Sequence, residues 1–324
     1  MPTITPHSVC GQDIHAGTAI GWDWAAHGLQ LPERYGGAAL DGFLAGSHHF
    51  RRSTPHPHDR FVRKHLQLRT NAWVRNRIFD PGVTPDYLRW IDVTHCPVTR
   101  EELTHGELRP SDWSVDRCWN DGAYAPGNLV VMSTRANLAK GRKSPTDILQ
   151  IVVAGESREG LDHLQWARLA AIVAMAVDET SALPMLVAPP PKMLIANRWT
   201  PIQYSLSMAA GGRMSHRAIA DARAACHGKD AKRRFDRFMH VAERLIYHAS
   251  ARAPDDNGLR WALADAWRSP ALLQVFHELA DSLSAADRLG VLNACRRHYV
   301  GFRQSKADPR QTWGLETLGY CVPA

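Results

Sequence analysis

Helical periodicity dominates the chain beyond Pro145 and leaves only a short stretch before it for a β-sheet. The strongest β-prone run, Val130-Val-Met-Ser133, lies just ahead of this helical region. Residues 134–140 have helical character again and are followed by Gly141, a good C-terminal stop, so a strand is expected to lead directly into a helix. The helices predicted further along are 147–154, 161–177, 216–225, 231–249, 258–267, 271–283 and 285–299.

Composition divides the chain into three segments. Residues 1–58 are rich in Gly, His and small residues with weak periodicity, and they predict irregular structure with at most one short helix. Residues 59–145 predict a basic helix over 59–78, a second helix over 85–91, and the strand-to-helix stretch. Residues 146–324 predict a helical region with a Pro-rich interruption near 180–201. The expected fold class is therefore α+β, predominantly α-helical with a small hairpin-plus-helix core.

The charge of the chain favours a polyanionic partner. Lys and Arg total 39 against 32 Asp and Glu, which gives a net charge of +7 and a pI near 9.3. The six cysteines form no CxxC pair, and free thiols in a reducing cytoplasm are the best fit. There is no signal-peptide pattern and no apolar run long enough to span a bilayer, so no membrane partner is expected.

The chemistry of the chain is concentrated between Cys96 and Lys143. A predicted strand ends near Asp116, a loop returns through Asn128, and the following helix presents Asn137. Oxygen ligands from a hairpin and a packed helix suit Mg²⁺, whose other positions stay with water and a phosphate. The motifs are Cys96-Pro-Val-Thr-Arg100, Trp113-Ser-Val-Asp-Arg117, Gly122-Ala-Tyr-Ala-Pro-Gly-Asn-Leu129 and Ser133-Thr-Arg-Ala-Asn-Leu-Ala-Lys140. An Asp-Arg dipeptide alone is usually a surface ion pair and Gly-Asn an ordinary turn, so the joint order and spacing carry the prediction.

This window resembles the HNH (ββα-metal) endonuclease superfamily, and most closely a branch in which Ser-x-Asp-Arg replaces Asp-His. The likeness is confined to the window. It implies a metal-dependent endonuclease that hydrolyses phosphodiester bonds in nucleic acid, with DNA as the first choice and Mg²⁺ or Mn²⁺ as the cofactor. Asp116 and Asn137 would be metal ligands, and Asn128 would bond across the ββ loop and brace the first strand.

Two departures from the superfamily pattern bear on activity. Arg117 stands where the superfamily keeps its general-base histidine, and a guanidinium cannot accept a proton at neutral pH, although it can bind phosphate. Water activation would need the metal alone, or His105 or His95 folding back as the base, although each histidine is more typical of a solvated loop. An alanine also separates Gly122 from Tyr124.

Basic residues flank the window on both sides. They predict contacts with a nucleic-acid backbone, since Lys and Arg supply most phosphate neutralisation. The residues assigned this role are Arg63, Lys64, Arg135, Lys140, Arg142 and Lys143. The histidines at 48, 49, 56 and 58 indicate a flexible, solvated loop in preference to a metal site.

Two other functions stay open at this point. Arg117 favours a catalytically inactive, HNH-like nucleic-acid-binding module. A helical interaction protein with an accidental HNH-like window is the third hypothesis. In each case the C-terminal helices could hold the core, bind a protein partner or mediate self-association.

Overall fold

The computed structural model describes residues 13–174, 199–298 and 313–321. The Pro-rich interruption, up to residue 198, and the end of the last predicted helix lie outside the described residues. The helices are α1 (Ile14–Ala26), α2 (Ala38–His49), α3 (Arg60–Val74), α4 (Pro85–Ile91), α5 (Thr134–Lys140), α6 (Pro145–Val153), α7 (His163–Ala174), α8 (Trp199–Ala210), α9 (His216–Ala224), α10 (Lys229–Ala251), α11 (Asp256–Ala266), α12 (Pro270–Ser282) and α13 (Ala285–His298). Strands β1 (Trp113–Arg117) and β2 (Leu129–Ser133) form a two-stranded antiparallel sheet, and 3₁₀ turns cover Phe50–Arg52 and Leu315–Thr317. The fold class is α+β and predominantly helical, as expected.

The chain divides into two compact units. Unit 1 contains the described residues of Met1–Asp92, Asn120–Leu129 and Ala307–Ala324, and unit 2 those of Val93–Trp119 and Val130–Lys306. This division does not follow the three segments expected from composition, whose standing as domains stays a prediction.

Unit 1 opens with a pair of helices, α1 and α2, packed through glycines. A Cβ added to Gly21 would lie 1.8 Å from the carbonyl oxygen of Ala39, and one added to Gly42 would lie 2.0 Å from that of Thr18. These two backbones therefore touch, which only glycine permits. The two helices correct the expectation of irregular structure over residues 1–58. Glycine has low helix propensity, and a backbone-to-backbone interface leaves no stripe of large apolar residues in the sequence.

Capping residues fix the other helices of unit 1. Asp59 caps α3 by accepting from Phe61 and Val62, and Thr84 caps α4 by accepting from Tyr87. The prediction for α4 is confirmed, whereas α3 ends at Val74 and not at residue 78.

The early end of α3 has a backbone cause. Asn76 adopts a φ of 52°, which leaves the helix. The backbone N–H of Ile78 then donates to the carbonyl of Gly319 (2.9 Å), and its carbonyl accepts from Tyr124 (3.0 Å). The C-terminal segment also receives a bond from Ala123 to the carbonyl of Trp313 (2.7 Å), so residues 313–321 hold the 120–129 loop within unit 1.

The helices of unit 2 bury a continuous aromatic and aliphatic core. Phe238, Trp267 and Phe276 contact one another with ring centroids 5.0–6.0 Å apart. The helices predicted beyond residue 145 are confirmed close to their expected bounds. The sequence does not predict helix α8, because Pro201 counts towards the Pro-rich interruption, although proline is well tolerated in the first turn of a helix.

Asp287 joins two parts of unit 2 through one buried carboxylate. It forms reciprocal capping bonds with Ser284 at the start of α13, with Ser284 Oγ donating to Oδ2 at 2.7 Å. Its Oδ1 accepts from the backbone N–H of His227 (2.9 Å) and from the imidazole Nδ1 (2.5 Å), just before α10. Burial alone would raise the pKa of Asp287, but these hydrogen bonds outweigh it and hold the pKa well below its ordinary value.

Replacing Asp287 with asparagine is expected to lower the free energy of unfolding by about 2 kcal/mol at neutral pH, the usual range for a hydrogen-bonded buried charge. A depressed carboxyl pKa contributes stability above its unfolded value, near 3.9, and loses it as pH falls towards the folded value. Urea unfolding should therefore show the gap between wild type and Asp287→Asn narrowing below about pH 4. Asp281→Asn, on the exposed side of α12, is the control. A gap that stays constant with pH would contradict this account.

Candidate functional site

The stretch from β1 to α5 forms the strand, loop, strand and helix order that the motifs predict. Strand β2 is buried along its length, and its last residue, Ser133, caps α5 by accepting from Ala136. Gly141 ends α5 with a φ of 50°. In β1, Val115 and Arg117 are buried, whereas the alternate residues are half-exposed.

Two hydrogen bonds tie α5 to β1. Asn137 Nδ2 donates to Ser114 Oγ at 2.8 Å, and Lys140 Nζ donates to Asp116 Oδ2 at 2.9 Å. Ser114 and Asp116 are two residues apart and share one face of the strand, while positions three apart on a helix are neighbours. We call these four residues the polar seam. Two of them, Asp116 and Asn137, are the side chains predicted to bind a metal.

The charges in the polar seam are removed from solvent to different degrees. The Lys140 side chain is 0% exposed and that of Asp116 is 20% exposed. This corrects the expectation that Lys140 meets an incoming phosphate backbone, since its ammonium is buried and paired. Asp116 correspondingly has its negative charge offset by a cation within the protein.

The donor set of the polar seam does not fit a resident Mg²⁺ or Mn²⁺. Asp116 is the one anion there, and its carboxylate already faces the Lys140 ammonium. The other oxygens are neutral, namely Asn137 Oδ1 and Ser114 Oγ, and Ser114 Oγ already accepts from Asn137. A divalent cation beside Asp116 would meet a buried positive charge 2.9 Å from its ligand. Across the described parts of the chain, no three His, Cys, Asp or Glu side chains come together in a way that could hold a metal.

Cys118, the residue after β1, is buried. Burial raises the pKa of its thiol to about 12, although the Lys140 ammonium acts in the opposite direction. The thiol is therefore protonated at neutral pH and packs as a core residue.

The candidate bases Arg117, His105 and His95 lie in different surroundings. The alternation of β1 places Arg117 on the face opposite Asp116, and its side chain is buried. His105 is exposed, with its ring 5.9 Å from that of Trp113, which shares the face of Arg117. His95 contacts Trp261 of α11 at 5.6 Å.

Asn128 is held inside the 120–129 loop of unit 1. It is fully buried, and its amide donates to the carbonyl of Ala123 at 2.9 Å while its backbone N–H donates to Ala125 at 3.0 Å. The preceding Gly127 adopts a φ of 87° and donates to the Tyr87 hydroxyl. The amide bond from Asn128 to Ala123 stays within the 120–129 loop, and the bracing of the first strand that the resemblance implies stays a prediction.

The remaining residues predicted to contact phosphate differ in ion pairing and in exposure. In unit 2, Arg135 pairs with Glu101 (3.0 Å) and Lys143 with Glu159 (2.6 Å), whereas Arg142 is exposed with no ion pair among the described residues. The corresponding residues of unit 1 also differ. Arg63 is exposed with no described acidic partner, while Lys64 is half-buried, and this burial lowers its pKa.

Contacts that no motif predicts fix the ββα element to the C-terminal helices of unit 2. Arg100 adopts a φ of 62° and makes a bidentate ion pair with Asp265 of α11, at 2.7 and 2.9 Å. Cys96 Sγ accepts from the backbone N–H groups of Thr99 (3.4 Å) and Ser133 (3.3 Å). The helical region thus holds the core, which was one of its expected roles.

No family model, curated protein or solved structure matches the chain. The HNH resemblance therefore stays a prediction from the motifs. Within the described ranges, no helix combines the length and apolar character needed to cross a membrane.

Proposed function

We propose that this chain is a nucleic-acid-binding protein whose HNH-like ββα element is a scaffold and does not cut. The buried ion pair between Lys140 and Asp116 carries the proposal. Phosphodiester hydrolysis needs an electrophile at the phosphate and a group that accepts a proton from water. Here the charge of the Asp116 carboxylate is offset by the Lys140 ammonium, and Arg117 cannot accept the proton.

Charge supports nucleic acid as the ligand, and the HNH resemblance favours DNA first. The chain has a net charge of +7. Arg142 lies two residues beyond the end of α5, is exposed and has no described acidic partner. A guanidinium in that position suits a phosphate contact. The described cysteines are free thiols, which supports a reducing, cytoplasmic location for this binding.

Fluorescence anisotropy with a labelled DNA duplex, titrated between about 50 and 200 mM salt, tests the proposal. Wild type should bind with an affinity that falls as salt rises. Arg142→Ala should reduce the slope of log K against log salt by about 1. The control is Arg158→Ala, which removes an exposed arginine already paired with Glu156. An absence of binding at low salt, or equal slopes for the two variants, would count against the proposal.

The second candidate is the metal-dependent endonuclease that the resemblance implies. The ββα order, with Asp116 and Asn137 on one polar seam, favours it. The endonuclease requires Lys140 to move away from Asp116, whereas a binding protein that does not cut keeps this ion pair intact.

A further inference from the structure

A connected set of aromatic rings covers part of unit 1. Trp22 of α1 lies with its ring centroid 5.0 Å from that of His49 and 5.3 Å from that of Phe50. The rings of His49 and Phe50 are 4.8 Å apart, and the ring of His56 lies 5.9 Å from Phe50. Trp22 and Phe50 are half-buried, whereas the two histidines are exposed. The set is therefore partly supported by the fold and partly exposed to solvent.

The segment that carries His56 is anchored to the end of α1. The backbone N–H of His56 donates to the carbonyl of Ala26 (2.8 Å), and His27 Nδ1 donates to that of Pro57 (3.2 Å). Residues 53–58 are exposed, whereas His48 and His49 lie in α2 and not in the loop expected from sequence. His49 and His56 contribute their rings to this set.

The charge of this surface is positive. Arg51 and Arg52 follow Phe50 in a 3₁₀ turn, and both are exposed with no ion pair among the described residues. The sequence contains no Asp or Glu between Asp41 and Asp59. We call the six residues Trp22, His49, Phe50, Arg51, Arg52 and His56 the ring-and-arginine surface.

We infer that the ring-and-arginine surface binds single-stranded nucleic acid. Unpaired bases stack on aromatic rings, and neighbouring arginines neutralise the backbone phosphates. The bases of a duplex are stacked on one another and offer no free face, so rings beside arginines favour a single strand. This site belongs to unit 1, whereas the polar seam and Arg142 belong to unit 2, so the inference does not rest on the proposed function.

Anisotropy with labelled single strands of about 20 nucleotides tests the site, with oligo-dT and oligo-U as separate arms and a duplex of equal length for comparison. Phe50→Ala is expected to weaken single-strand binding at least about fivefold and to change duplex binding much less. Arg51→Ala/Arg52→Ala is expected to reduce the salt slope by about 1.4, or about 0.7 for each phosphate that is no longer neutralised. The arm with the tighter binding shows whether DNA or RNA is preferred.

The matched control is Arg217→Ala/Arg244→Ala, which removes two exposed arginines of α9 and α10 without a described ion pair. Phe50→Leu keeps the side-chain bulk but not the ring, and it replaces Phe50→Ala in the assay if that variant fails to fold. It should weaken single-strand binding in the same way. Failure of wild type to bind either single strand at low salt, or an arginine variant no weaker than its control, would overturn the inference.

Discussion

Gly21→Ala is expected to destabilise unit 1 by about 3 kcal/mol, at the upper end for overpacking of a close interface. The added methyl carbon would lie 1.8 Å from the carbonyl oxygen of Ala39 and 2.6 Å from the backbone nitrogen of Phe43. Both atoms belong to the backbone of α2, so the contact cannot be relieved by rotating a side chain. Helices α1 and α2 must separate, which exposes the Ile20 and Trp24 core beneath them.

Gly36→Ala is the control for this substitution. A Cβ at Gly36 would meet no atom within 4 Å, and the residue does not require a positive φ. Its free energy of unfolding in urea should stay within about 0.5 kcal/mol of wild type. A destabilisation by Gly21→Ala as small as that of the control would show that the two helices do not pack backbone to backbone.

Asp116→Ala is expected to lower the free energy of unfolding by about 3–5 kcal/mol, because it removes the carboxylate that pairs with the buried Lys140 ammonium. Lys140→Met should be less damaging. The Asp116 carboxylate is 20% exposed and can turn to water, and methionine nearly fills the space left by the lysine stem.

A double-mutant cycle checks the coupling between these two side chains. The double variant Asp116→Ala/Lys140→Met should be more stable than Asp116→Ala alone, since it also removes the buried Lys140 ammonium. Urea unfolding of the four proteins gives the coupling energy directly. Additive effects of the two substitutions would mean that the two charges do not interact, which would contradict the ion pair between Lys140 and Asp116.

Local signals account for the elements that sequence reasoning predicts correctly. Helix α5 has its cap at Ser133 and its stop at Gly141, and strand β2 is a short apolar run, so both can be located from neighbouring residues. The same holds for α4, which begins with Pro85 after a threonine cap.

The contacts that decide the site depend on tertiary structure. Lysines are rarely buried without a partner, so sequence reasoning places Lys140 at the surface, and the partner that buries it lies 24 positions earlier on β1. Arg100 and Asp265 are 165 positions apart, and no motif connects them. Self-association or a protein partner of the C-terminal helices stays a prediction.

Cleavage of supercoiled plasmid, measured at protein concentrations that fully shift the DNA, tests the central claim most directly. Wild type, Asp116→Ala and Lys140→Met would be incubated with Mg²⁺, with Mn²⁺ or with EDTA. The buried pair between Asp116 and Lys140 predicts that wild type binds the plasmid and leaves it supercoiled in every condition. Nicking by wild type that EDTA abolishes and Asp116→Ala removes would contradict the scaffold and establish the endonuclease.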